Sequence, residues 1–297
     1  MTSLYAQRSN NIWRTWLLMS AFFLVVGALG WLASQYFGSF TVFYGALGFA
    51  VVTNISAYWF SDKVAIASAG AKPADESEHR ELHRMIENLA ITAGLPKPRV
   101  YVIDDPAPNA FATGRDAKHA AVAVTTGLMQ MLDKTELEGV LAHELSHIGN
   151  RDILVMTVAV VLVGFVSGLA NIFMHLGYFG GGDNRDRGPL VMIATVAAMI
   201  LAPLAAQLIQ LAISRRREFL ADASGALLTR YPDGLASALQ KIGSYAAPME
   251  RASATTAHLF ISNPFGAHAT AQFFQKLFST HPPIPERVAA LGSMRLE

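Results

Sequence analysis

The chain has 297 residues, of which 52% are hydrophobic and only 15% are charged. This composition is too apolar for an ordinary soluble protein. A formal net charge of +1, without a basic patch interleaved with aromatic residues, argues against a nucleic-acid partner. The chain contains no cysteine, so its fold needs no disulfide bond.

Charge-free stretches predict four transmembrane helices. A membrane span needs roughly 20 apolar residues, and the first charge-free stretch, between Arg14 and Asp62, is long enough for two spans that turn at Gly38-Ser39. Two later stretches provide one span each, although buried core helices stay an alternative there because polar residues interrupt both. The predicted spans are Thr15–Phe37, Phe40–Phe60, Ile153–Phe179 and Pro189–Ile213.

The distribution of basic residues predicts the orientation in the membrane. With four spans, one side carries most of the flanking basic residues, namely Arg8, Arg14, Lys63, Arg151, Arg215, Arg216 and Arg217. The positive-inside rule therefore places both termini and both polar segments in the cytoplasm. The chain divides into an N-terminal transmembrane hairpin (1–61), a first cytoplasmic segment (62–152), a second transmembrane hairpin (153–213) and a second cytoplasmic segment (214–297).

The first cytoplasmic segment predicts a small α+β unit. Its hydrophobic periodicity and turn residues predict a helix, three strands and then two helices. In chain order these are a helix over Glu78–Ala93, strands over Arg99–Ile103, Ala110–Thr113 and Ala120–Val124, a short helix over Thr126–Leu132 and a helix over Glu136–Gly149. Thr135 and Glu138 are predicted to form a capping box at the start of the last helix.

That last helix contains the sequence His143-Glu144-Leu145-Ser146-His147, a His-Glu-x-x-His motif. Histidines four residues apart lie on the same face of a helix, so both imidazoles can bind one metal ion. Glu144, beside the first histidine, can act on a water in the open coordination position, as the general base of a zinc protease does. The structural alternative is a pair of surface histidines on an amphipathic helix.

Glu218 is the predicted third metal ligand. A catalytic zinc usually has three protein ligands and one open position, and residue Ile153 excludes the metzincin pattern, which needs a histidine there. The predicted hairpin after His147 returns to the same membrane face, so a helix over Arg215–Ala226 can bring Glu218 to the histidines. Asp222, one turn later, is placed to hydrogen-bond a ligating histidine. Alternatively, Glu218 pairs only with Arg215.

Two proline-containing segments are predicted to have a structural role only. Tyr231-Pro232-Asp233-Gly234 is similar to the element that supplies a ligand in site-2 proteases, but it lies in a polar segment and is predicted to be an ordinary turn. Pro282, Pro283 and Pro285 predict a rigid extended stretch.

Only residues 150–152 separate the motif helix from the third predicted span, so the motif helix is predicted to continue into that span.

The chain resembles the HtpX family of bacterial membrane zinc metalloproteases, relatives of the CaaX prenyl endopeptidases. The resemblance covers nearly the whole chain and includes the motif with Asn150-Arg151-Asp152, the segments Arg217–Asp222 and Asn109–Gly114, and Ser279–Pro283. It implies a mainly helical, gluzincin-like zinc protease domain with a small sheet, one zinc ion per chain and a location in the bacterial inner membrane. It also implies quality control of damaged or misfolded membrane proteins at the cytoplasmic face.

The resemblance gives two further segments a possible role. An exposed edge strand over Asn109–Gly114 would bind extended substrates through backbone hydrogen bonds, with the substrate-binding residues Asn109, Ala110, Phe111 and Ala112. The alternative is a plain hairpin edge. His281 would be a catalytic residue that donates to the developing oxyanion, and Arg287 would pair with Asp222 or serve the same end. The other histidines, His79, His83, His119, His175, His258 and His268, are predicted to be structural or exposed.

These features predict a zinc-dependent endopeptidase in which Glu144 takes a proton from the attacking water and delivers it to the leaving amine. The predicted partners are membrane-protein or unfolded-protein substrates and the lipid bilayer. One alternative is a noncatalytic membrane scaffold with a structural metal site, although such a site normally has four protein ligands. Another is an endopeptidase for prenylated proteins, which the short four-span architecture disfavours.

Overall fold

The structure is a computed structural model that describes residues 4–179, 215–253, 255–266 and 282–294. Helices α1 (Leu4–Phe37) and α2 (Phe40–Ser68) form a hairpin whose turn has Gly38 at a φ of +64°. Both helices are long and apolar enough to cross a membrane, over Ser9–Phe37 and Phe40–Ser68. The first two predicted spans are therefore confirmed by length and composition, and α2 continues for eight residues beyond the predicted end.

The motif helix does not run straight into the third predicted span. Helix α5 (Lys134–Gly149) and helix α6 (Asp152–Phe179) meet at an angle of 84°. Arg151 adopts a φ of +59°, a left-handed conformation that ends the hydrogen-bonded ladder of α5. The predicted continuous helix is thus wrong, because one left-handed residue redirects the chain. The predicted fourth span, Pro189–Ile213, lies outside the described residues.

A four-stranded mixed sheet lies beside the motif helix. Its strands are β1 (Lys72–Pro73), β2 (Arg99–Ile103), β3 (Ala110–Thr113) and β4 (Ala121–Thr125), in the order β1-β2-β4-β3. Strand β4 is antiparallel to β3 and parallel to β2. The three predicted strands are confirmed, the last one shifted by one residue. The two-residue β1 was not predicted, because it has no alternating pattern and contains a proline.

Five more α-helices complete the described part of the chain. They are α3 (Arg80–Thr92), α4 (Thr126–Met131), α7 (Arg215–Thr229), α8 (Pro232–Ser244) and α9 (Ile284–Gly292). Three of them, α3, α7 and α8, pack against α5. Pro232 begins α8, so the predicted ordinary turn at this point is wrong. Pro285 lies in the first turn of α9, so the predicted extended stretch ends at Pro283. Proline is well accommodated at the first helical position, where no backbone donor is needed.

The buried apolar residues form two clusters. One packs α1, α2 and α6 against one face of the sheet, and the other packs α3, the opposite face of the sheet, α5 and α7–α9. In the second cluster α5 and α7 approach each other closely at Gly225 of α7. A Cβ atom added at this glycine would lie 2.9 Å from the backbone nitrogen of His143. The motif helix is therefore at the centre of the protease unit, and its histidines face α7 at short range.

Candidate metal centre

Helix α5 begins with a capping box that differs from the predicted one. Asp133 is the N-cap, and its side chain accepts a hydrogen bond from the backbone of Glu136, whose carboxylate accepts one from the backbone of Asp133. The predicted pair of Thr135 and Glu138 is two residues too late. Both pairs have the required spacing, but Glu136 is buried and also receives Lys241 Nζ of α8 at 2.7 Å. This tertiary contact selects the earlier helix start.

Three potential metal ligands converge between α5 and α7. The Nε2 atoms of His143 and His147 lie 3.2 Å apart. Glu218 of α7 lies with its carboxylate oxygens 3.8 Å from His143 Nε2 and 3.7 Å from His147 Nε2. All three residues are buried, and one ligand atom from each lies within 4.8 Å of the others. The residues that the sequence suggested as ligands are thus brought together from two helices that are far apart in the chain.

The arrangement of donors fits a metal ion. Two imidazole nitrogens that bind one zinc tetrahedrally are about 3.4 Å apart, from bond lengths of about 2.0–2.1 Å, and the observed separation is 3.2 Å. The Nδ1 atom of each histidine lies next to a carboxylate, which selects the tautomer with a lone pair on Nε2. Two lone pairs and the carboxylate of Glu218 therefore point at one small buried volume, which suits a cation.

His143 is held by a carboxylate from α7 and a guanidinium from α9. Asp222 Oδ1 lies 2.9 Å from His143 Nδ1. Arg287 donates two hydrogen bonds to the Asp222 carboxylate, at 2.8 and 2.6 Å, and a third to the backbone oxygen of Ile261 at 3.2 Å. Arg287 is fully buried. Of its two suggested roles, the geometry favours pairing with Asp222, because its guanidinium is engaged with that carboxylate.

His147 is held by a second carboxylate, which the sequence reasoning missed. Asp152 Oδ2 lies 3.1 Å from His147 Nδ1, and Asp152 is fully buried. Its other oxygen accepts a hydrogen bond from Asn11 Nδ2 of α1 at 2.5 Å and lies 3.9 Å from Arg217 Nε of α7. The left-handed backbone at Arg151 brings Asp152 back to the histidine five residues earlier, and the local sequence gives no signal of this conformation.

The two histidines have opposite proton affinities in this environment. Burial lowers the pKa of His143 to about 4 and outweighs its contacts with Asp222. Burial also opposes the charged form of His147, but the hydrogen bond to Asp152 and the charge of Glu218 outweigh it and raise the pKa of His147 to about 9. Without a metal ion, a proton on His147 therefore occupies the gap between the two Nε2 atoms.

Glu144 lies beside the ligands with its carboxylate next to strand β3. It is 1% exposed, and burial raises the pKa of its carboxyl group to about 7, against the opposing charge of His147 and a hydrogen bond from the Ala112 backbone. A group with a pKa near the working pH exchanges protons most effectively. Glu144 therefore combines the position and the proton affinity that suit a general base.

Strand β3 is at the edge of the sheet but is not exposed, so that part of the prediction is wrong. The four suggested substrate-binding residues are each at most 2% exposed; they are Asn109, Ala110, Phe111 and Ala112. The segment after Thr256 covers the outer edge: Ile261 donates its backbone N–H to the Ala110 oxygen at 2.9 Å, and Asn109 bonds the backbone of Ser262. Burial of this edge needs a distant segment, which local sequence does not reveal.

The histidines that were not predicted to bind the metal are either outside the described residues or away from the metal centre. His281 and His268 lie outside the described residues. His258 is buried and contacts the Met156 backbone oxygen at 2.9 Å, and His83 contacts the Ala74 oxygen at 3.1 Å. These two histidines are structural, as predicted.

Comparisons with known proteins agree with this site. The sequence profile of Peptidase family M48 matches residues 76–295. A protein named Protease HtpX homolog from Caldanaerobacter subterraneus is 46% identical over 302 residues, covering 99% of each chain. One of the same name from Pyrococcus furiosus is 45% identical over 291 residues, covering 97% of each chain. In fold, the chain is similar to the crystal structure of S. mikatae Ste24p, with a TM-score of 0.51 and 20% identity over 94% of this chain and 66% of that one.

A buried cluster of two histidines and a glutamate, next to an acid on the same helix and joined to membrane-length helices, defines a membrane metallopeptidase. The chain belongs to Peptidase family M48. Its relatives named Protease HtpX homolog match it over nearly their full lengths.

Proposed function

We propose that this protein is a zinc-dependent endopeptidase that cleaves misfolded or damaged membrane proteins at the cytoplasmic face of the bacterial inner membrane. The observation that carries the proposal is the convergence of His143, His147 and Glu218 beside the acid Glu144. One zinc ion per chain is held by these three side chains. When bound, zinc supplies a Lewis acid that polarises the scissile carbonyl and makes water more acidic.

The chain's own residues then have distinct tasks. Glu144 accepts a proton from the attacking water and returns it to the leaving amine, a role that its raised pKa suits. Asp222 and Asp152 hold the two imidazoles by their Nδ1 atoms, so that each Nε2 atom faces the metal. The carboxylates thereby also make the histidines stronger ligands. His281 remains the suggested donor to the oxyanion.

Strand β3 is the proposed binding site for extended substrate. The hydrogen bond from the Ala112 backbone to Glu144 puts this strand next to the general base. Main-chain pairing with an edge strand accepts many side-chain sequences, which suits a protease that acts on misfolded proteins. Because Ile261 pairs with Ala110, substrate has to displace the covering segment or begin beyond it.

The membrane topology that we propose has four spans with both termini and the protease unit in the cytoplasm, in the four segments 1–61, 62–152, 153–213 and 214–297. Contacts of the start of α1 and of the end of α2 support this arrangement. Asn11 of α1 bonds Asp152, and Asp62 of α2 receives Arg99 of β2 at 2.6 Å. The start of α1 and the end of α2 therefore meet the protease unit, with the turn at Gly38 at the far end.

The enzymatic proposal is tested with the full chain purified in detergent. We expect the wild type, loaded with zinc, to cleave an unfolded model protein, and Glu144→Gln to keep zinc at full occupancy while losing activity. Glu218→Ala is expected to lose zinc, since it removes one of three ligands. A wild type that holds one zinc and cleaves nothing under these conditions would favour the scaffold alternative. Zinc retained at full occupancy in Glu218→Ala would refute the third ligand.

The topology is tested with single cysteines, because the natural chain has none. We expect a membrane-impermeant maleimide to label Ser39→Cys in spheroplasts, since residue 39 is at the far end of the hairpin. Ser77→Cys, exposed in the protease unit, is expected to react only after the membrane is opened. Labelling of Ser77→Cys in intact spheroplasts would reverse the orientation.

A further inference from the structure

A buried asparagine on the first membrane helix contacts the metal centre from outside the protease unit. Asn11 is 2% exposed. Its Nδ2 atom donates to Asp152 Oδ1 at 2.5 Å and to the backbone oxygen of Asn150 at 3.2 Å. Its Oδ1 atom accepts a hydrogen bond from Arg217 Nη1 at 3.2 Å. One carboxamide thus joins α1 to the bend between α5 and α6 and to α7.

The chemistry of these contacts calls for an amide. The carboxylate of Asp152 needs a donor and the guanidinium of Arg217 needs an acceptor, and a carboxamide offers both on one rigid plane. A leucine of similar shape would offer neither and would leave buried polar atoms with fewer partners, which destabilises that arrangement. The side chain at position 11 therefore does more than pack α1 against its neighbours.

Of the three contacts of Asn11, the one with Asp152 leads directly to a metal ligand. The Asp152 carboxylate uses one oxygen for Asn11 and the other for His147 Nδ1, at 3.1 Å. A shift of the first oxygen therefore moves the second, and with it the orientation of the imidazole. Arg217, the other partner, immediately precedes Glu218 in α7.

We propose that Asn11 is a positioning residue for the metal centre: its carboxamide holds the Asp152 carboxylate that orients His147. The first membrane helix thereby sets the geometry of a ligand in the protease unit. The other buried side chains of α1 in the apolar cluster, such as Leu18, Phe22 and Val26, pack without polar contact. Among the described residues, Asn11 thus links the membrane hairpin to the site by hydrogen bonds. This inference rests on the metal centre proposed above.

The test compares Asn11→Leu with a matched control in the same hairpin, using the full chain in detergent. Asn54→Leu is the control, because Asn54 Nδ2 also bonds across the hairpin, to the Met19 oxygen at 3.3 Å, and contacts no residue of the metal centre. Zinc affinity is measured by competition with a chelator, and ligand geometry by the visible absorption of the cobalt-substituted protein. The thermal unfolding of the metal-free proteins reports the cost to the fold alone.

We expect Asn11→Leu to weaken zinc binding about tenfold, the lower end of the range for residues that hold a metal ligand, and to change the cobalt spectrum. Asn54→Leu is expected to leave both unchanged. In an Asp152→Ala background, Asn11→Leu is expected to have no further effect, since it acts through that carboxylate. Asn11→Ala, whose smaller side chain fits the same space, is expected to behave like Asn11→Leu and serves if the leucine variant does not fold.

Wild-type affinity and spectrum in the Asn11 variants would overturn the inference, and so would equal losses in Asn54→Leu, which would indicate general destabilisation. A full additional loss in the Asp152→Ala background would also overturn it. If the wild-type chain binds no zinc, the metal centre proposed above is wrong. That result is seen without any variant, so it can be distinguished from a failure of the proposal for Asn11.

Discussion

The two histidines of the metal centre are supported from opposite sides of the molecule. His143 is held by Asp222 and Arg287, which belong to helices of the protease unit. His147 is held by Asp152, at the start of α6, with Asn11 of the first membrane helix behind it. The first support is an ion pair buried within one apolar cluster, whereas the second bridges the protease unit and the membrane hairpin. One ligand thus depends on the fold of the protease unit, and the other on its attachment to the hairpin.

The largest expected difference is in stability. Asp222→Ala would leave the fully buried Arg287 guanidinium without its carboxylate, which costs about 3–5 kcal/mol. Asp152→Ala is expected to cost less, about 1–3 kcal/mol, because His147 can release its proton and Arg217 keeps its hydrogen bond to Asn11. Both variants are expected to weaken zinc binding by about 10- to 100-fold. Thermal unfolding of the metal-free proteins and competition with a chelator measure the two effects.

A matched double variant separates the two effects on the His143 side. Replacing the pair by Asp222→Leu with Arg287→Met is expected to recover the stability, because apolar side chains of similar size can replace a buried ion pair. Zinc affinity should stay low, since His143 has lost its partner. Equal losses of stability in Asp222→Ala and Asp152→Ala would contradict the expected difference between the two supports.

The next effect concerns protons. With the pKa of His147 raised to about 9 and that of His143 lowered to about 4, His147 is positively charged and His143 is neutral at pH 7 in the metal-free protein. This proton is lost as the pH rises through the pKa of His147, so zinc affinity should rise about fiftyfold between pH 7 and pH 9. Adding zinc at pH 7 in a weakly buffered solution should release about one proton per metal ion from this histidine.

Three variants sharpen that measurement. Asp152→Asn removes the charge that helps His147 keep its proton, so less proton should be released on binding zinc. Asp222→Asn acts on the neutral His143 and should leave the release unchanged. Glu144→Gln shows how much of the release comes from the neighbouring acid. A wild type whose zinc affinity is flat between pH 7 and pH 9 would show that the two histidines do not differ in this way.

The smallest effect is expected at the start of α5, outside both supports. Asp133→Ala removes the N-cap and should destabilise the protein by about 1 kcal/mol, without changing zinc affinity. Glu138→Ala, at the partly exposed position that the sequence suggested for the capping box, is expected to have little effect. A larger loss of stability in Glu138→Ala than in Asp133→Ala would restore the predicted helix start.

Local sequence was sufficient for features that depend on neighbours in the chain. The spacing of His143 and His147 follows from helical geometry, and both helices of the first hairpin follow from the length of the apolar stretch between Arg14 and Asp62. Strands β2 and β3 were predicted with their observed limits, because each is a short β-prone segment bounded by turn residues.

Features that depend on distant contacts were predicted less well. Lys241 of α8 favours the earlier capping box at Glu136, and the segment around Ile261 buries the edge strand that was expected to be exposed. Nothing near Asp152 in the sequence indicates that the chain turns left-handed at Arg151 and returns to His147. The polar residue Asn11 precedes the predicted first span and was not connected with the site.

The sequence by itself determined the class of chemistry. The two histidines of the His-Glu-x-x-His motif predict a metal site, and the glutamate between them predicts its general base. It also determined the apolar hairpin, because crossing a membrane is a matter of length and composition. Only the tertiary structure decided which carboxylate holds which histidine, and that α1 contacts the site through Asn11. Those choices depend on hydrogen bonds between residues up to 206 positions apart, and such contacts leave no periodic trace in the chain.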